Sequence, residues 1–204
     1  MPAPCAATSQ HHLQVAAPLC ERNPMTDLTK LPHTGLHVPH DRYTLADFQQ
    51  MTTRCGIAYN ATVHEGERCM GVIENQGNGG GTWFFPATAA DHRAVHEFAA
   101  ACRMEGEPLS EEEVLDHLIT EHETAQQVAK CTRRRASLIR GYEEDGLPAV
   151  TIAIGAPPVW LDRADSPFLP RLARDLKASD PGVAVWEFWT GDQWKPLSLP
   201  AATD

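Results

Sequence analysis

The sequence predicts an α+β protein: an antiparallel β-meander packed on two helices, one of them long, followed by a C-terminal strand–helix–hairpin part. Three observations carry this expectation. Between positions 57 and 85, short β-rich runs alternate with turn residues. From Leu115 onward, apolar and small residues recur at alternating steps of three and four. After Gly146-Leu147-Pro148 the pattern changes to a continuous apolar run, AVTIAIG.

Composition bounds the rest. The chain has 204 residues, 42% hydrophobic and 22% charged, so it can bury a core of ordinary size. Its formal net charge is −10, which argues against a general nucleic-acid binder, because the phosphate backbone rewards positive charge. No apolar run reaches the roughly 18 residues that a membrane-spanning helix needs. The six cysteines, Cys5, Cys20, Cys55, Cys69, Cys102 and Cys131, contain no CxxC pair that would suggest a zinc knuckle or a redox motif. The first residues lack a basic segment followed by an apolar stretch, so no export signal is expected. Reduced thiols in the cytoplasm follow as the simpler expectation.

Residues 1–24 are rich in Ala and Pro, show no period, and are expected to be disordered; Met25-Thr26-Asp27 resembles a second start. Pro32, Pro39 and the histidines His33, His37 and His40 extend this irregular composition. A flexible extension over 1–41 is therefore expected, with these histidines in a solvated loop because Pro and Gly break any helix that would align them. An α+β core over 42–146 and a smaller C-terminal part over 147–204 complete the organisation. The C-terminal strands can also join the first sheet.

Taken in order, Thr44-x-x-Asp47 with Leu45, Phe48 and Met51 predicts a short helix over 44–53. Residues 57–64 and 69–75 read as strands joined by Glu65-Gly66-Glu67-Arg68, and residues 82–85 as a third strand closed by Pro86. Thr88 caps a helix over about 89–103, with Val95, Phe98, Ala99 and Cys102 on one face. Ser110-x-x-Glu113 is a capping box that opens the longest helix. Its stripe of Leu115, Leu118, His122, Ala125, Ala129, Thr132, Ala136 and Ile139 extends it to a stop at Gly141. The small residues of that stripe admit a close partner, either this chain or a second copy. Residues 149–155 read as a strand buried on both faces, with 159–161 extending it as an edge. A helix over 167–177 and a hairpin of 183–189 with 194–197 follow.

Candidate chemistry falls into four groups. His92 and His96, and likewise His117 and Glu121, stand four apart on their helices, so each pair shares a face and the four can supply a divalent metal site of a hydrolase. The pattern H-E-x-x-H is absent, and a half-exposed histidine at the edge of an apolar face is the plainer reading. Lys130, Arg133, Arg134 and Arg135, with Arg140 beyond them, concentrate positive charge in an acidic chain and can contact phosphates. They also complement the dipole of a helix opened by Glu111, Glu112 and Glu113. Gly77, Gly79, Gly80 and Gly81 follow a strand as a ligand loop would, but a strand rather than a helix comes next, which favours a wide hairpin. Trp186, Phe188, Trp189 and Trp194 crowd one hairpin and read chiefly as core.

No activated nucleophile can be named and no cofactor is implied. The first functional reading is a non-catalytic cytoplasmic binding or regulatory protein. It acts through protein–protein contacts or self-association along the helix near 110–140. A metal-dependent hydrolase and a nucleic-acid-associated protein are the alternatives, and whether the chain is an enzyme stays open at this level.

Overall fold

The computed structural model describes residues 28–200. The expectation of disorder over 1–24 lies outside the described residues. The elements in chain order are β1 (Thr29–Lys30), β2 (His37–Val38), β3 (Tyr43–Thr52), β4 (Ile57–Glu65), β5 (Arg68–Gln76) and β6 (Trp83–Pro86). Then come α1 (Ala89–Ala101), β7 (Arg103–Met104), β8 (Glu107–Pro108), α2 (Glu111–Arg133), β9 (Ser137–Tyr142) and β10 (Pro148–Ile154). The chain closes with α3 (Pro158–Leu161), α4 (Leu169–Ser179), β11 (Val185–Trp189) and β12 (Trp194–Pro196). The fold is α+β, as expected, with antiparallel sheets in the orders β3-β4-β5-β6, β10-β9-β11-β12 and β1-β2-β7-β8.

The meander follows from period-two alternation. Ala61, Val63, Met70, Ile73 and Phe84 point to one face and bury against Val95 of α1 and Leu115 and Ile119 of α2. Full burial of each large side chain contributes about 1.5–3 kcal/mol, so this layer is a principal source of stability. Gly66, at φ +62, makes the tight turn between Glu65 and Arg68.

The expected helix over 44–53 is instead strand β3, a correction with a clear cause. The register of β3 on β4 shifts between Ala46 and Gln49, and Asp47 sits at φ +52. Asp47 and Phe48 together oppose Ala61, which is a β-bulge. The extra residue lets Leu45 and Phe48, three apart, both pack on the meander core, so a bulged strand imitates helical spacing.

Helix α1 has the expected start. Thr88 accepts from the amide of Asp91, and Asp91 is buried with its carboxylate on Thr88 Oγ1 and the Arg68 guanidinium. In α2 the capping box is complete, with Ser110 accepting from the Glu113 amide and Glu113 accepting from the Ser110 amide. This helix is shorter than expected. Arg135 at φ +54 ends it, with the Arg135 amide donating to Thr132 O and the Ala136 amide to Cys131 O, a Schellman arrangement. Ser137–Tyr142 is strand β9, and Gly141 lies in it, where a Cβ would stand 2.7 Å from Val183 Cγ1.

The C-terminal strands form their own sheet around β9 rather than joining the meander. Ile139, Trp186 and Phe188 pack against Leu169, Leu172 and Leu176 on α4. Among the described residues strand β10 pairs only with β9, and it alternates in exposure, so it is an edge strand there and not the doubly buried one its composition suggested. Residues 158–161 are the short helix α3 rather than an extended edge.

Residues 29–41, expected to be flexible, form a strap instead. Leu36 and Val38 are fully buried against Phe98, Cys102 and Val114. The strap shows no period because it turns sharply: Gly35, at φ +80, donates to Leu31 O at 3.0 Å while the Leu31 amide donates to Leu36 O at 2.8 Å.

Candidate functional site

The strap, the β7–β8 hairpin and the C-terminal sheet enclose a cleft of about 600 Å³. Behind the strap that forms one wall stands Glu121 on α2. That carboxylate accepts from the His33 amide at 3.0 Å, the Thr34 amide at 2.7 Å and the Thr34 hydroxyl at 2.9 Å. With the strap held there, the His33 ring lies over Trp189, centroids 4.5 Å apart, and edge-on to Trp194 at 6.2 Å.

Arg140 on β9 ties the other side. Its Nε and Nη2 donate to Glu187 Oε2 at 2.9 and 2.8 Å, and its Nη1 donates to His33 O at 2.7 Å. The guanidinium also lies 4.0 Å from the Trp194 ring centroid and 5.3 Å from that of Tyr142, so one cation fixes strap, sheet and aromatic wall together. Arg140 and Glu187 face each other because β9 and β11 place them in register.

Among the described residues, three buried nitrogens near this wall have no hydrogen-bond partner: His33 Nδ1, His37 Nδ1 and Trp194 Nε1. His33 is 8% exposed, and its burial pushes the imidazole below its ordinary value; Glu121 works against that shift and Arg140 adds to it. His33 is therefore neutral near pH 7.

The sequence-expected sites are distributed differently. His92 and His96 stack on the exposed side of α1 with ring centroids 6.3 Å apart, and His96 Nδ1 meets Glu111 Oε2 at 2.8 Å. Both oxygens of Glu121 are committed to the strap. The set His92, His96, His117 and Glu121 is not brought together, and among the described residues no three His, Cys, Asp or Glu side chains gather as a metal would require. His92 and His96 share a face of α1, while the strap claims Glu121 on α2.

Lys130, Arg133, Arg134 and Arg135 are exposed around the C-terminus of α2, where they complement the dipole. Arg140 leaves that cluster altogether for the cleft. The glycine run is a turn closed on itself. Gly77 and Gly80 donate to the side chains of Asn75 and Asn78 at 2.8 and 2.9 Å, and the Thr82 amide donates to Glu112 Oε1 at 3.3 Å. A Cβ at Gly81 would stand 2.7 Å from that same Oε1, so a carboxylate of this chain occupies the place an anion would take. Beneath the turn, Asp116 Oδ1 accepts from Tyr59 and Thr82, each at 2.5 Å. Burial and Asp116 push the Tyr59 phenol up to about 12, so this knot is a structural tie between turn and helix.

The aromatic hairpin divides by face. Trp186 and Phe188 enter the α4 core, whereas Trp189 and Trp194 pack edge-on to each other at 5.5 Å, with Trp194 lining the cleft. His33, His37, Glu187 and Trp194 were not assigned a common site from sequence. The period-two face of β11 that separates Trp189 from Trp186 was the one readable signal.

Set against protein-family models, curated proteins and solved structures, this chain matches none of them. No helix among the described residues is long and apolar enough to cross a membrane.

Proposed function

We propose that this chain is a non-catalytic binding or regulatory protein that receives a small ligand in the cleft of His33, Arg140 and Trp194. One observation carries the reading: buried N–H capacity on His33 and Trp194 stands unpaired in the wall of a cleft of about 600 Å³. Leaving such a group unpaired costs about 1–3 kcal/mol, and an acceptor on a ligand would recover it. The volume falls in the range of small-molecule sites, and the wall offers the usual mixture of rings and a few polar groups. Among the described residues Cys55 and Cys69 are exposed and form no disulfide, which accords with a reducing compartment, and we assign the protein to the cytoplasm on that basis.

The test is a small-molecule screen on the full chain, read by amide and indole chemical shifts. Binding that moves the Trp194 indole signal and weakens at least about tenfold in Trp194→Phe, which keeps a ring and removes the donor, is the expected result. Binders that leave Trp194 and His33 unmoved would overturn the cleft as the site.

A specific observation favours weak self-association as the protein-contact side of this reading. Trp83 (66% exposed), Phe85 and Met51 lie on the meander face that α1 and α2 do not cover. Four strands of this length give a face on the order of 500 Å², below the roughly 800 Å² per partner of a standard interface. A second copy meeting that face would hold only transiently. Sedimentation at rising concentration should show association that Trp83→Ala abolishes; a monomer at all concentrations would remove it. Along α2 itself, Val114, Leu115 and Ile119 are already buried within the chain.

A further inference from the structure

The cleft is polarised by depth, and this points to the chemistry of its ligand. Donors line the inner wall. His33 is buried, Arg140 is 23% exposed with three of its N–H groups engaged, and Trp194, half-buried, offers an N–H that can only donate. The exposed rim is mixed, with Lys30 on the strap and two carboxylates on two turns, so carboxylates outnumber the cation there. Glu105, at φ +52, lies in the β7–β8 hairpin, and Asp192, which accepts from Thr190 Oγ1 at 2.5 Å, lies in the β11–β12 turn. Both are exposed, while the deeper Glu187 is neutralised by Arg140.

We infer that the cleft binds a small zwitterion of the α-amino-acid class, its carboxylate on the inner donors and its ammonium at the mouth carboxylates. This rests on the cleft being a ligand site. The carboxylate oxygens would accept from Trp194 Nε1–H and from His33 in its Nδ1–H tautomer, after a side-chain rotation that uncovers these two buried nitrogens. The ammonium would donate to Asp192 and Glu105. Global charge selects among candidates: a formal −10 repels a bare dicarboxylate, and the inner donors give a diamine no acceptor, whereas a zwitterion carries no net charge to be repelled. A cleft of about 600 Å³ leaves room for a side chain beyond the ammonium and carboxylate.

The experiment is calorimetric titration of the full chain with each standard amino acid, with succinate, putrescine and glucose as probes of the competing chemistries. The expected result is saturable binding of at least one amino acid, and none of the three probes. Trp194→Phe should weaken it about tenfold or more, and the exposed Glu105→Gln/Asp192→Asn pair should weaken it while leaving the thermal midpoint unchanged. Succinate, putrescine or glucose binding as tightly as any amino acid would overturn the zwitterion yet keep the cleft as a site, provided Trp194→Phe weakens that binding. Amino-acid binding indifferent to both variants would overturn the assignment of groups. If no amino acid binds, the inference falls. If the wider screen also finds nothing at Trp194, the ligand cleft falls with it.

Discussion

Thr34 gives both its amide and its hydroxyl to a single oxygen of Glu121, at 2.7 and 2.9 Å, across 87 residues of chain. With the His33 amide on the same carboxylate, α2 holds a strap that has little regular structure of its own. Charge-assisted hydrogen bonds contribute about 1.5–3 kcal/mol each, though bonds sharing one acceptor are not additive. Glu121→Ala should therefore lower unfolding free energy by about 2–4 kcal/mol, and Glu121→Gln by less. Chemical denaturation gives the magnitude. Hydrogen exchange should accelerate selectively in residues 29–38, and uniform acceleration throughout the chain would contradict this account.

Arg140 serves three contacts at once, so its replacements separate charge from shape. Lys keeps the charge but cannot reach Glu187, His33 O and the Trp194 face together. Arg140→Lys should cost about 1–2 kcal/mol, and Arg140→Leu more, because Glu187 is then left half-buried without its cation. Denaturation midpoints check the order, and Trp fluorescence should report the loosened Trp194 ring in both.

Stability should fall as acid is added, in a window set by histidine. Burial lowers His33, His40 and His122 below 6.5; Arg42 and Arg140 add to this at His40 and His33, while Glu65, Asp41, the His40 backbone and Glu121 oppose it. A group depressed in the folded state is protonated first in the unfolded chain, so its contribution is complete above pH 6.5 and is lost as pH falls through the folded value. Glu123, pushed up by burial, acts in the opposite direction at lower pH. Urea midpoints at pH 7.5 and 5.5 should differ, and His40→Phe, which preserves packing on Tyr43 and Phe98, should shrink the difference. Equal midpoints at the two pH values would refute it.

Two glycines of the meander should respond very unequally to alanine. At Gly71, φ is +149 and a Cβ would stand 2.3 Å from Phe85 O, backbone that cannot yield, so Gly71→Ala should cost several kcal/mol, on the order of 3 or more. At Gly66 nothing lies within 4 Å of the added Cβ, and only the φ of +62 opposes it, so Gly66→Ala should cost about 1 kcal/mol. Thermal melts of the two variants test the contrast.

Where local signals agreed with their neighbours, the fold was legible. Ser110 with Glu113, the cap at Thr88, and the alternation through Ala61, Val63 and Ile73 each announced their element. Two misreadings share a cause: a local irregularity preserved the wrong period. The bulge at Asp47 and Phe48 turned a strand into an apparent helix, and the left-handed Arg135 ended α2 without the glycine that would have marked it. The cleft was hidden for another reason. His33, Arg140 and Trp194 meet only because Glu121 holds the strap across 88 residues and Glu187 holds Arg140 across 47, and no spacing encodes such a meeting.

Helix α2 begins on the meander and passes directly into β9, with only Arg134, Arg135 and Ala136 between. There is no slack to absorb a change in its length. Each residue of an α-helix turns the chain by about 100° and advances it about 1.5 Å. One residue inserted in its exposed second half would swing Arg140 away from His33 while every side chain of the cleft remained present. The site is thus clocked by a residue count. In the evolution of this chain, deletions within α2 should be rarer than substitutions on its surface, since a substitution leaves the phase between its two sheets intact.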